Sequence, residues 1–127
     1  MKLAIDTNRY TDLANSVPAV VQTLEAAETI VVPFITIAEL RGGFAMGTRG
    51  KANEQVLRTF LAKANVMSLY PDERTTHEYS AIYQQLRRQG TPIPTNDIWI
   101  AALVLQHDLT LYARDAHFDH LPQIRRA

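Results

Sequence analysis

The sequence predicts an α/β fold, a mostly parallel sheet with helices on both faces, on two observations. Short apolar runs of strand length alternate along the chain with segments whose apolar residues recur at helical spacing. The intervals between the runs are long enough for crossover helices, which parallel neighbours require and hairpins do not. Size agrees with this: 127 residues, 46% of them hydrophobic, make one domain, residues 1–127, with no room for a second.

Taken in order, "KLAI" at residues 2–5 reads as a buried strand. Residues 18–27 open with Pro18, which suits a first helical turn, and carry Val20, Val21 and Leu24 at helical spacing. "TIVV" at 29–32 is the second strand, and a helix opens at Thr36. The glycines of "RGGFAMGTRGK", 41–51, predict an irregular excursion there. Residues 53–64 space Val56, Leu57, Phe60 and Leu61 along one helical face, and "VMSLY" at 66–70 is the third strand. After Pro71 a helix carries Tyr79, Ile82, Tyr83 and Leu86 and stops at Gly90, the residue type that closes helices in left-handed conformation. Thr95 is the expected N-cap of the next helix, 96–107, which is apolar nearly all round and should be buried. "LTLYA" at 109–113 is the fourth strand, and the tail adds a last short one, for a sheet order of 3-2-1-4-5.

Composition narrows the function. The absence of cysteine excludes a disulfide scaffold, a thiolate zinc site and a thiol nucleophile. Thirteen basic residues balance thirteen acidic ones, which argues against coating nucleic acid by bulk charge. Locally the balance tips: Arg41, Arg49, Lys51, Arg58 and Lys63 face Glu54 alone across residues 41–63. The longest apolar run, "IWIAALVL", is too short for a membrane span, so the expectation is a cytoplasmic protein with no membrane partner.

In an open parallel sheet, ligands bind beyond the carboxyl ends of the strands where the strand order reverses. Asp6 follows the first strand and Asp115 the fourth; Glu39 lies a turn into the helix after the second strand, and Asp97 begins the buried helix. Each has a plain structural explanation taken singly. Thr36 and Glu39 form a T-x-x-E capping box, Asp97 suits the positive end of a helix dipole, and Asp6 and Asp115 suit turns after strands. Gathered on one rim, however, four carboxylates repel and are costly to bury unpaired. A divalent cation is the economical partner, and an all-oxygen set selects Mg²⁺ or Mn²⁺. Such ions commonly handle phosphates.

These residues resemble the PIN-domain ribonucleases, and specifically the VapC toxins of toxin–antitoxin pairs, over nearly the whole chain. The family's strand running into D-T-N matches "IDTN", Asp6, Thr7 and Asn8; its helix glutamate matches Glu39 in "ITIAELRGG". Its third acid matches Asp97, after Asn96, in "TNDIWIAA", and its fourth matches Asp115 in "ARDAHFDHLP", with Phe118 at the family's aromatic. Two departures are Arg9-Tyr10, where an apolar residue is usual, and Ala113 in place of a frequent Thr. The resemblance implies a PIN-like three-layer fold and an endoribonuclease dependent on Mg²⁺ or Mn²⁺. Asp6, Glu39, Asp97 and Asp115 would be the ligands, supported by Thr7, Asn8 and Asn96. It also implies a homodimer held inactive by a VapB-like antitoxin that lays a helix in a groove. Two alternatives share the fold: a binding module whose acids merely cap helices, and a housekeeping nuclease of RNA maturation.

Arg9, Arg41, Arg49 and Lys51 are candidate RNA contacts, and the glycine segment serves either as a basic RNA guide or as a connector. Other features carry less. His77-Glu78 lacks the second histidine of a zinc protease motif, since Ala81 stands there, and "GTRGK" lacks the first glycine and the Ser/Thr of a phosphate loop. His117 and His120, with Asp119, offer a transition-metal set in principle, but they read as solvent contacts of a polar loop, with RNA contact open for His117; the resemblance makes Asp119 a second ligand beside Asp115 or, the preferred reading, a loop residue. Tyr79 and Tyr83 belong to the core or a dimer surface, and Trp99 to the core.

Overall fold

The computed structural model describes residues 1–127. Five parallel strands, β1 (Lys2–Ile5), β2 (Thr29–Pro33), β3 (Val66–Leu69), β4 (Thr110–Tyr112) and β5 (Arg125–Arg126), lie in the order β3-β2-β1-β4-β5. Six helices connect them: α1 (Thr7–Ala14), α2 (Pro18–Glu25), α3 (Phe34–Met46), α4 (Gly50–Leu61), α5 (Glu73–Gln89) and α6 (Thr95–Gln106), with a 3₁₀ helix at Ala116–His120.

Alternation along the strands builds two cores. Leu3 and Ile5 of β1, with Ile30 and Val32 of β2, face one side and pack with Tyr10, Leu24, Ile37, Leu40, Leu57 and Phe60 of α1 to α4. Ala4, Val31 and Leu111 face the other side, against Ile82 and Leu86 of α5 and the apolar residues of α6. Right-handed crossovers explain the division: the chain steps from β1 to β2 to β3 in one direction, then returns across β1 to β4, so the returning helices must cover the opposite face. Leu3, Ile5, Ala4 and Val31 are each at most 1% exposed, the two-sided burial expected of central parallel strands.

Gly90 ends α5 at φ 71°, as its place in the sequence predicts. Three local readings are corrected. Helix α3 begins at Phe34, directly after β2, because the extended backbone of Pro33 serves as its N-cap; Thr36 is already inside the helix. Helix α6 likewise begins with Thr95, and Pro94 is its N-cap without any side-chain bond. The glycine segment is mostly helical, since α3 runs through Gly42 and Gly43 to Met46 and α4 resumes at Gly50. The helix penalty of glycine, about 1 kcal/mol each, is outweighed by burial of Ile37 and Leu40. Gly50 is required by close approach: a Cβ there would lie 2.8 Å from the Phe44 carbonyl oxygen.

Candidate active site

Strands β1 and β4 are neighbours where the sheet order reverses, so the segments leaving their carboxyl ends part and open a crevice. Asp6 stands at that edge as the N-cap of α1, accepting from the backbone N–H of Arg9 at 2.8 Å, and is only 6% exposed. Asp115, just beyond β4, caps the 3₁₀ helix by accepting from the backbone N–H of His117 at 2.9 Å. Asp97, in the first turn of α6, is half-buried.

Glu39 settles the question left open by its capping motif. The Thr36 hydroxyl donates instead to the carbonyl of Ile5 at 3.1 Å, tying α3 to the end of β1. Both oxygens of Glu39 turn to other elements: Thr7 Oγ1 donates to Oε1 at 2.8 Å, and Asn96 Nδ2 donates to Oε2 at 3.3 Å. One carboxylate thereby joins α1, α3 and α6.

Electrostatics links the four acids in series, Asp6 to Asp115, Asp115 to Asp97 and Asp97 to Glu39. Burial pushes the Asp6 carboxyl above its ordinary range, and the Asp115 charge pushes the same way against the Arg9 amide and guanidinium and Arg114. Burial also raises Asp97, with Asp115 and Glu39 adding to it and His117 opposing. Among the hydrogen bonds at these acids, Asp6 uses Oδ1, Asp97 Oδ2 and Asp115 Oδ1, which leaves the other oxygen of each without a protein partner. None of the three is sealed from solvent. A bare divalent cation supplies what such oxygens lack.

His117 belongs to this site, contrary to its reading as a solvent contact. Its Nδ1 lies 2.8 Å from Asp97 Oδ2 and 3.0 Å from Asp115 Oδ1. That nitrogen lies within hydrogen-bond distance of both carboxylates. The sequence grouped His117 with Asp119 and His120, whereas the structure sets it against Asp97 and Asp115.

The other candidates are dispersed. Asn8 is exposed on α1. Arg9 lies over the Tyr112 ring at 4.2 Å and pairs with Asp12, its Nε buried without a partner. Arg41 donates through Nε and Nη2 to Glu54. Arg49 and Lys51 are exposed beside the turn between α3 and α4. Asp119 pairs with Arg126 at 2.8 Å, away from the cluster. Trp99 is half-buried between Phe34 and Tyr79. Two residues with no earlier role support the rim: Arg126 Nη2 donates to the carbonyls of Ala113 and Asp115, and Arg114 pairs with Asp12.

The PIN domain family model matches residues 4–124. The chain belongs to the PIN-domain family. This PIN domain is 36% identical over 114 residues to Ribonuclease VapC1 of Haemophilus influenzae, spanning 86% of the chain and 80% of that relative, which places it in the VapC group. It is 26% identical over 93 residues to Ribonuclease VapC4 of Mycobacterium tuberculosis, spanning 73% of the chain and 72% of the relative. Among solved structures, VapBC-1 from nontypeable Haemophilus influenzae matches with a TM-score of 0.88 at 25% identity, covering 100% of this PIN domain and 97% of that chain.

Proposed function

We propose that this PIN domain, residues 1–127, is a Mg²⁺- or Mn²⁺-dependent endoribonuclease and the toxin of a toxin–antitoxin pair. The observation that carries the reading is the convergence of Asp6, Glu39, Asp97 and Asp115 on the crevice between β1 and β4. Asp6 and Asp115 do cap helices, but Glu39 and Asp97 cap nothing, so a binding module whose acids merely cap helices does not account for the set.

The four carboxylates would hold the ion, directly or through water, and their oxygen donors suit Mg²⁺ or Mn²⁺. Bound there, such an ion polarises a phosphoryl oxygen and lowers the pKa of water to make a nucleophile at neutral pH. The chain's own groups set the geometry beforehand. Thr7 and Asn96 hold both oxygens of Glu39, and the Arg9 amide holds one oxygen of Asp6, so neither carboxylate must reorganise when a phosphodiester arrives. Arg49 and Lys51 are exposed and unpaired, free to meet RNA phosphates, whereas Arg41 must first leave Glu54 and Arg9 is engaged over the Tyr112 ring.

The partner is a VapB-like antitoxin, in keeping with the VapBC complex that this fold matches. A groove of about 350 Å³ between α1 and α4, lined by Tyr10, Leu13, Val56 and Phe60, suits the apolar face of a helix. Read as a VapC-like toxin, it acts as a homodimer in the cytoplasm. No helix is long and apolar enough to cross a membrane.

The test is incubation of cellular RNA with the antitoxin-free protein in Mg²⁺, Mn²⁺ or EDTA, beside Asp6→Asn. Discrete fragments that require metal and vanish in the variant are expected. Intact RNA under every metal, from folded protein, refutes the nuclease. A housekeeping nuclease would cleave without arresting growth and without needing a neighbouring antitoxin gene.

A further inference from the structure

We infer that His117 is a nitrogen ligand of the metal centre, joining Asp97 and Asp115, and that it gives the site a preference for Mn²⁺ over Mg²⁺; the inference rests on the metal-site reading above. The sequence reading of the site contains oxygen donors alone. In the structure, His117 Nδ1 approaches carboxylates from two different elements, Asp97 on α6 at 2.8 Å and Asp115 at 3.0 Å. One ligand atom from each of the three residues lies within 4.8 Å of the others. Donors on one ion with bonds of about 2.0–2.2 Å sit roughly 3–4.4 Å apart, so these atoms need only small adjustments to share a cation.

The ring is delivered by a fixed turn. The His117 backbone N–H donates to Asp115 Oδ1, and the next residue, Phe118, is 1% exposed and anchors the 3₁₀ helix in the core. Arg126 holds the carbonyls on either side of Arg114 and lies 5.7 Å from the Phe118 ring, which restrains the same segment from above. His117 therefore meets the two acids without a loop rearrangement. The other three histidines, His77, His107 and His120, are exposed and absent from the cluster.

Ligand softness supplies the preference. Mg²⁺ demands oxygen donors and keeps its water, whereas imidazole suits first-row transition metals. A two-carboxylate, one-imidazole set thus gains with Mn²⁺ what it cannot gain with Mg²⁺. To hold the ion, the neutral ring would carry its proton on Nε2 and offer the Nδ1 lone pair.

The experiment loads wild type and His117→Asn with Mn²⁺ and records pulsed electron paramagnetic resonance for coupling to ¹⁴N, with titration calorimetry of Mn²⁺ and Mg²⁺ on both proteins. Asn keeps an N–H donor near the position of Nδ1 but is a poor nitrogen ligand. Expected are ¹⁴N coupling in wild type and its loss in the variant. Mn²⁺ affinity should be at least about tenfold above Mg²⁺ in wild type, and should fall about tenfold in the variant while Mg²⁺ affinity changes less than about threefold. Mn²⁺ bound to wild type without ¹⁴N coupling, or equal loss for both ions, overturns the ligand role and leaves the carboxylate site standing. Failure of both ions to bind wild type overturns both readings. The wild-type spectrum decides the matter even if the variant is unstable.

Discussion

The hydroxyl of Thr7 donates to Glu39 Oε1 at 2.8 Å, across 32 residues of chain. That bond connects the first residue of α1 to α3 and aims a carboxylate from one layer at the crevice formed by the sheet edge. Thr7→Val keeps the shape and removes the donor. Cleavage should fall about 10- to 100-fold, with weaker metal binding by calorimetry, and Thr7→Ser should restore most of both. Unchanged activity in Thr7→Val would show that Glu39 needs no such orientation.

Burial and mutual repulsion raise the carboxyls of Asp6 and Asp97 above 3.8. A raised carboxyl means that the folded state holds its proton more tightly than the unfolded state. Stability is therefore greatest at low pH in this respect, and it declines as pH climbs from the unfolded value through the raised folded one. At neutral pH the metal-free protein carries the whole penalty. Asp6→Asn preserves the helix cap and removes the charge, so its Tm in EDTA at pH 7 should exceed that of wild type by a few degrees. The gain should vanish as the pH falls towards 3.8, the ordinary carboxyl value. Added Mg²⁺ should raise the wild-type Tm and leave the variant nearly unmoved. A lower Tm for Asp6→Asn at pH 7 would mean that the acids do not repel.

Val56 lies in the groove between α1 and α4, more than half exposed at 56%. A charge there costs the fold little, because surface substitutions usually stay within about 0.5 kcal/mol. It would oppose an apolar helix from the antitoxin. Val56→Asp should retain cleavage in vitro, yet escape neutralisation, so that cells co-expressing a cognate antitoxin no longer recover growth. Recovery equal to wild type would place the antitoxin elsewhere.

Much of this was legible because it is written in local pattern. The unbroken apolar run of Leu3, Ala4 and Ile5 marks β1 within its true bounds, and the apolar circumference of α6 foretells its burial. Glycines 42 and 43 misled, since an intrinsic penalty near 1 kcal/mol says nothing of the packing that overrides it. The Thr36 and Glu39 spacing matched a capping box, but capping depends on where the helix starts, and Pro33 moved that start forward. The expectation of a shared rim for the four acids came from strand order together with their places at strand ends and helix starts. His117 was not legible in this way: it meets Asp97 across 20 residues, a contact made by the fold rather than by any spacing.

Arg126, on the last strand, reaches back to the site without touching an acid's carboxylate except that of Asp119. Its Nη2 donates to the carbonyls of Ala113 at 2.9 Å and Asp115 at 3.2 Å, while Nη1 binds Asp119. The guanidinium therefore fixes the segment that carries Asp115 and His117, and a lysine, with a single ammonium, cannot reproduce that fork. Arg126→Lys should lower kcat several-fold with KM little changed, because the segment is displaced while the RNA-facing surface is intact. Asp119→Asn should cleave within about twofold of wild type, since Asp119 meets only the other nitrogen of the guanidinium. Loss of cleavage in Asp119→Asn that extra Mn²⁺ restores would reverse this assignment and make Asp119 a ligand.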